Sequence, residues 1–197
     1  MEKIQFSKLN GLVLIGGKSK RMGSDKGLLH YYDKPHKKQT YELLQAVLPD
    51  ATVYYAINPN QEQADNTIVD LYPDLGPFGA ILSAFEKDSA TAYFVLATDL
   101  PFISIALLKE LINKRDISKI ATTFQGNDKD FPEPLITIWE AKVYPILKKA
   151  KAQKSFSLTK LLKSNDIAIV KVDANFIRNI NTLSQYHEVK EILNKNL

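Results

Sequence analysis

Three short apolar runs constrain the fold of this chain more than any other feature: GLVLI (11–15), ATVYYAI (51–57) and AYFVLA (92–97). Each is continuous rather than alternating and rich in branched or aromatic side chains, as strands buried on both faces are. Between them, KKQTYELLQAVL (37–48) and GAILSAFEKD (79–88) repeat their apolar residues at helical spacing. Strand, helix, strand, helix predicts an α/β chain: a mostly parallel sheet with helices on both sides, in three α/β/α layers of Rossmann-like type. The pattern continues with a helix in 103–114, strands in 119–124 and 134–139, helices in 142–150 and 157–164, a strand in 167–172 and a last helix in 184–195. No repeat, low-complexity tract or linker interrupts it, so residues 1–197 read as a single domain.

Composition removes several classes of function. The chain has no cysteine, which excludes disulfides, thiolate metal sites and a cysteine nucleophile. The formal charge is +4, and the 26 basic residues include only three arginines, Arg21, Arg115 and Arg178. Nucleic-acid readers concentrate arginine, so no nucleic-acid partner is expected. The first residues, MEKIQFSKLNGLVLIGG, hold neither a signal peptide nor a span, and the expectation is a cytoplasmic protein with no membrane partner. His30, His36 and His187 show no ligand spacing.

In open parallel sheets ligands bind beyond the carboxyl ends of the strands, so the residues that follow each strand carry the information. After the first comes Gly16-Gly17 and then Lys18, Lys20, Arg21 and Lys26, four cations against one acid, Asp25. Absent side chains let backbone amides approach an anion, and the arginine fork suits phosphate. After the second strand comes Asn58, and after the third Thr98-Asp99-Leu100-Pro101. The stretch is neither a dinucleotide fingerprint nor a Walker loop, since five residues separate Gly17 from Gly23 and Ser24-Asp25-Lys26 follows. Taken singly, these residues also have plainer readings: a turn, solvated lysines, and an aspartate capping a helix.

LIGGKSKRMGSDK (14–26) resembles the L-x-G-G-x-S-x-R-M-G-x-D-K signature of the MobA-like NTP transferases, the family that contains the molybdenum cofactor guanylyltransferases. Further similar segments follow in family order: VDLYPDLGPFGAILSAF (69–85), TDLPFI (98–103) and FIRNINTLSQY (176–186). The resemblance implies a nucleotidyltransferase fold and a Mg²⁺-dependent transfer of GMP from GTP to the phosphate of molybdopterin, with release of pyrophosphate. It implies a nucleotide-binding half over about 11–115 and an acceptor-side half over about 116–197. It also implies nucleotide binding by Leu14, Ile15, Gly16, Gly17, Lys26, Asn58, Asp70 and Asp99, catalysis by Arg21, Lys26 and Asp99, and Mg²⁺ held by Asp99. Asp74 competes with Asp70 for the nucleotide-side acid. Transient contacts with other molybdenum cofactor proteins would follow.

In this resemblance the Gly16-Gly17 pair is the guanylyl form of the turn, although Ile15 stands where the family usually has alanine. A cytidylyltransferase, another sugar- or small-phosphate nucleotidyltransferase, or a non-catalytic nucleotide-binding protein are the alternatives. The acceptor side matches less well. FPEPLITIW (131–139) is only loosely similar, and NINTLSQY (179–186) keeps Asn179, Asn181 and Thr182 but lacks Pro-Glu-Asp, so Thr182 or Ser184 is expected to cap the last helix. Seven lysines between Lys142 and Lys163 face either an anionic acceptor or water.

Overall fold

A computed structural model describes residues 8–15, 34–180 and 182–195. In chain order the elements are β1 (Leu9–Leu14), α1 (His36–Val47), β2 (Val53–Ile57), β3 (Thr67–Val69), α2 (Pro77–Lys87), β4 (Ala92–Ala97), α3 (Ile105–Asn113), β5 (Ala121–Gly126), β6 (Ile136–Trp139), α4 (Tyr144–Ala152), α5 (Leu158–Lys163), β7 (Ala168–Val172) and α6 (Leu183–Lys195). Single 3-10 turns at Pro73–Leu75, Ala141–Val143 and Ala174–Ile177 join them.

All seven strands form one sheet in the order β3-β2-β1-β4-β6-β5-β7. Strand β6 alone runs against its neighbours β4 and β5, and the remaining pairs are parallel. The continuous apolar runs are explained by two cores, one on each face. Leu12, Leu14, Tyr93, Val95 and Ala97 pack with Phe78, Ile81 and Phe85 of α2 and Leu147 of α4. Val13, Phe94 and Leu96 pack on the other face with Leu44 of α1 and Leu107, Leu108 and Leu111 of α3. Alternate residues of one strand thus serve opposite layers. The chain is a single-domain, three-layer α/β/α fold with a mostly parallel sheet, as its apolar pattern requires.

Three details depart from the periodicity. Strand β3 was not expected, because three residues, Thr67–Val69, are too short to make an apolar run. Strand β5 extends through Gln125-Gly126, residues that read as a turn. Helix α4 is entered through the 3-10 turn at Ala141–Val143, with Pro145 in its first turn, where a missing N–H costs nothing. The last helix is capped as expected: Thr182 Oγ1 accepts from the Gln185 N–H at 3.2 Å, and Gln185 Oε1 accepts from the Thr182 N–H at 3.2 Å. This reciprocal capping box replaces the missing Pro-Glu-Asp. No helix among the described residues is long and apolar enough to cross a membrane.

Candidate active site

Strand order sets the site. β2 and β3 lie on one side of β1 and β4 on the other, so the topology switches between β1 and β4. A crevice opens beyond the carboxyl ends of two strands at such a point. Leu14, the last residue of β1, is in register with Ala97, the last of β4. Thr98 donates from Oγ1 to the Leu14 carbonyl at 3.4 Å, tying the next turn to the first strand. Asp99 follows, partly buried, at the edge where the chain leaves β1.

Asp99 is not a helix cap. Helix α3 begins six residues later and is capped by Ser104, whose Oγ accepts from the Leu107 N–H at 3.3 Å. The Asp99 carbonyl instead accepts from the Ile180 N–H at 2.8 Å, which brings Asn179-Ile180 to the same edge. Asn179, next in the chain to Ile180, has a buried side-chain oxygen, Oδ1, with no hydrogen-bond partner among the described residues. A sealed amide oxygen without a donor costs free energy that a cation would recover.

Beside this edge, on the α2 face, lies a cavity of about 660 Å³ whose lining includes Leu14, Ala56, Asn58, Asp70, Asp74 and Pro77. Its volume is that of a small-molecule site, and its walls combine apolar surface with a few polar groups. The Asn58 turn is closed on itself: the Asn58 N–H donates to Gln61 Oε1 at 2.8 Å, and the Gln61 N–H to the Asn58 carbonyl at 3.0 Å. Asp70 is buried, and its Oδ1 accepts from the Tyr72 N–H at 2.8 Å and the Ser83 hydroxyl at 3.4 Å. Burial pushes its carboxyl above the ordinary carboxylate range, against the pull of those two hydrogen bonds. Asp74 lines the same cavity from the exposed 3-10 turn.

The floor of the cavity depends on two glycines. Gly76, with φ +60° and ψ −143°, turns the chain into α2, a conformation essentially confined to glycine, and Pro77 opens the helix. Gly79 has no room for a side chain: a Cβ there would lie 2.2 Å from the Tyr72 carbonyl oxygen and 2.9 Å from Asp70 Oδ1. The GPFG turn is therefore the scaffold that seats Asp70.

Leu14, Asn58, Asp70 and Asp99 are thus brought to one edge, the first three around one cavity. Ile15 goes elsewhere. It packs toward the α1 face and lines a second cavity with the stacked rings of Tyr41 and Tyr55. Gly16, Gly17, Arg21 and Lys26 lie outside the described residues. The lysines of α4 and α5 lie on the solvent side; Lys151 rests 3.6 Å from the centroid of the Tyr72 ring and Lys148 4.5 Å from that of Tyr144. Sequence reading missed Gln61, which closes the Asn58 turn, and Glu133, a buried carboxylate near Asp99. The prolines flanking Glu133 were its only signal.

The donor set suits a hard divalent cation. Asp99 and Asn179 bring oxygens to the edge where β1 and β4 end, and no group of three or more His, Cys, Asp or Glu that could hold a metal ion occurs among the described residues. Magnesium is bound in this way, by one or two carboxylates with phosphate oxygens and water rather than by a closed protein cage.

Comparison with known proteins agrees with this geometry. The family model of the MobA-like NTP transferase domain matches residues 11–169. The chain is 32% identical over 187 residues to a "Molybdenum cofactor biosynthesis bifunctional protein" of Synechocystis sp., covering 92% of this chain and 53% of that protein, so it spans about half of that relative. It is 33% identical over 187 residues to a "Probable molybdenum cofactor guanylyltransferase" of Flavobacterium johnsoniae, covering 92% of this chain and 96% of that one. Among solved structures it is similar in fold to the molybdopterin-guanine dinucleotide biosynthesis protein A of Archaeoglobus fulgidus, with a TM-score of 0.74, 20% identity, and 94% and 99% of the two chains covered. A CMP:2-keto-3-deoxy-manno-octonic acid synthetase shares the fold at a TM-score of 0.72 and 17% identity, over 97% and 100% of the two chains. A switch-point crevice with an aspartate at its edge, in a chain matched over residues 11–169, makes this protein a nucleotidyltransferase of the MobA-like NTP transferase family.

Proposed function

We propose that the protein transfers GMP from GTP to the phosphate of molybdopterin with Mg²⁺, releasing pyrophosphate and forming the guanine dinucleotide form of the molybdenum cofactor. The observation that carries this reading is the register of Leu14 with Ala97, which sets Asp99 beside the exit from β1 and next to a nucleotide-sized cavity. The names of the Synechocystis and Flavobacterium relatives, both of the molybdenum cofactor, support the choice of acceptor.

In this reading the nucleoside enters the cavity, its base against Ala56, Pro77 and Ala80. Asn58 and one of the two carboxylates, Asp70 or Asp74, meet its polar groups; a carboxylate complements the adjacent N1–H and amino donors of guanine. The Gly16-Gly17 amides, Arg21 and Lys26 bear on the triphosphate and stabilise pyrophosphate as it leaves. Asp99, with Asn179 beside it, would hold Mg²⁺, which when bound neutralises phosphate charge and polarises the α-phosphate. An oxygen of the acceptor phosphate forms the new bond to the α-phosphorus, and the bond from that phosphorus to the pyrophosphate oxygen breaks. The acceptor is already an anion, so neither a protein nucleophile nor a general base is needed, and alignment and charge do the rest. Asn179 aside, the donor residues precede residue 115, in the β3-β2-β1-β4 half of the sheet, and the acceptor falls to the β6-β5-β7 half.

Thermal shift with each nucleoside triphosphate, with and without Mg²⁺, tests the donor. Ligand at about 100 times its Kd stabilises by about 2.7 kcal/mol, which at about 2–4 °C per kcal/mol for a domain of this size is roughly 5–11 °C. GTP with Mg²⁺ gives the largest shift; a larger response to CTP overturns the base assignment. Asp70→Asn separates the two acids. The folded protein holds the Asp70 carboxyl above its ordinary value, so its ionised form opposes folding at neutral pH, and the amide variant melts at or above the wild type. A GTP shift reduced by half or more assigns the nucleoside contact to Asp70, and an unchanged shift assigns it to Asp74.

A further inference from the structure

Glu133 is an unusual residue to bury. It is buried in the turn between β5 and β6, with a residue exposure of 6%. The turn is fixed from several sides: Pro132 and Pro134 flank it, the Glu133 N–H donates to the Phe124 carbonyl at 2.8 Å, and the hydroxyls of Thr123 and Thr137 both donate to the Glu133 carbonyl at 2.7 Å. Two residues on, the Leu135 carbonyl accepts from the Ala97 N–H at 3.0 Å, which locks the turn to the end of β4, two residues before Asp99. Against this rigid backbone the carboxylate has one hydrogen bond, from the Leu135 N–H to Oε1 at 3.3 Å.

No cation forms an ion pair with Glu133 among the described residues. A buried carboxylate with a single long hydrogen bond is costly, and structures keep such groups where a ligand repays the cost. Its surroundings agree. The antiparallel pairing of Leu96 with Ile136 and of the Ala97 N–H with the Leu135 carbonyl, carried two residues further, sets Glu133 across from Asp99. Two carboxylates brought to the same edge by paired strands make a donor set that suits a divalent cation.

We infer that Glu133 is the second carboxylate of the metal site: together with Asp99 it holds the divalent cation that accompanies the triphosphate. This rests on the nucleotidyl-transfer reading above. It adds to that reading a second carboxylate, from the turn between β5 and β6, so that both halves of the sheet bring oxygens to the cation. One or two carboxylates with phosphate and water is the usual protein share of a magnesium shell.

Mn²⁺ binding followed by electron paramagnetic resonance, with and without GTP, tests this on the full chain without relying on turnover. Glu133→Gln keeps the shape and the oxygen that accepts from Leu135 but loses the charge. It is expected to weaken Mn²⁺ binding about 10- to 100-fold, the usual cost of a disturbed metal shell, while melting at or above the wild type because a buried charge is gone. Glu133→Asp, which keeps the charge but retracts it, is expected to lose less. A purely structural role would leave Mn²⁺ affinity in Glu133→Gln at the wild-type value, and that result overturns the inference. Mn²⁺ lost in Asp99→Asn but retained in Glu133→Gln removes Glu133 alone and leaves the transfer reading standing. Wild-type protein that binds no Mn²⁺ even with GTP removes both.

Discussion

Asp99→Asn is expected to lower GMP transfer by about three decades while leaving the melting temperature within about 2 °C of the wild type. A cation that stabilises transition-state charge contributes several kcal/mol, and about 4 kcal/mol is a thousandfold in rate. Asparagine preserves shape but removes the charge that attracts the cation. The fold should tolerate it for identifiable reasons. Ser104, not Asp99, caps α3, and the contact from Asp99 to Ile180 uses the backbone carbonyl, which the substitution leaves in place. Isosteric changes away from caps and packed cores usually move stability by no more than about 0.5 kcal/mol. Pyrophosphate release measured with circular-dichroism melting checks both halves, and undiminished turnover would remove Asp99 from the metal role.

Gly79→Ala is expected to have the largest effect on stability of any single methyl added near the site. Its Cβ would stand 2.2 Å from the Tyr72 carbonyl oxygen, a backbone atom that cannot rotate away, and 2.9 Å from Asp70 Oδ1. Relief requires shifting α2 against the 3-10 turn at Pro73–Leu75, and Phe78, Ile81 and Phe85 of α2 are buried in the core on that face. Overpacking of this kind costs about 1–3 kcal/mol, or a fall of roughly 2–12 °C. Because the same shift moves Asp70 and Pro77 in the cavity wall, GTP affinity should fall with stability. Urea unfolding paired with a GTP titration reads both. Wild-type stability in Gly79→Ala would mean that α2 and the turn are not pressed together as described.

How much of this was legible beforehand follows from what a linear pattern can encode. The strands β1, β2 and β4 were visible because burial on both faces demands unbroken apolar runs. Strand β3 was not, since Thr67–Val69 is flanked by polar residues and gains its place only by pairing with β2. The reversed direction of β6 was equally hidden, because periodicity carries no sign. Asp99 could be singled out because it directly follows a strand whose end had to face the ligand. The direction of Ile15 was within reach: alternation from Leu14 sends it to the other face, and the structure packs it toward α1. Glu133 was not within reach. Its sequence context, Phe131-Pro132-Glu133-Pro134, reads as an exposed turn, and only the closure of β6 against β4 buries it at the edge that carries Asp99.

The most direct test of the proposed transfer is the identity of its product. The protein, incubated with Mg²⁺, molybdopterin and each nucleoside triphosphate in turn, is analysed by mass spectrometry with pyrophosphate quantified alongside. Guanylyl transfer predicts molybdopterin guanine dinucleotide from GTP, in equal amount to the pyrophosphate released. A cytosine dinucleotide formed in preference, or GTP and molybdopterin recovered unchanged, would contradict it.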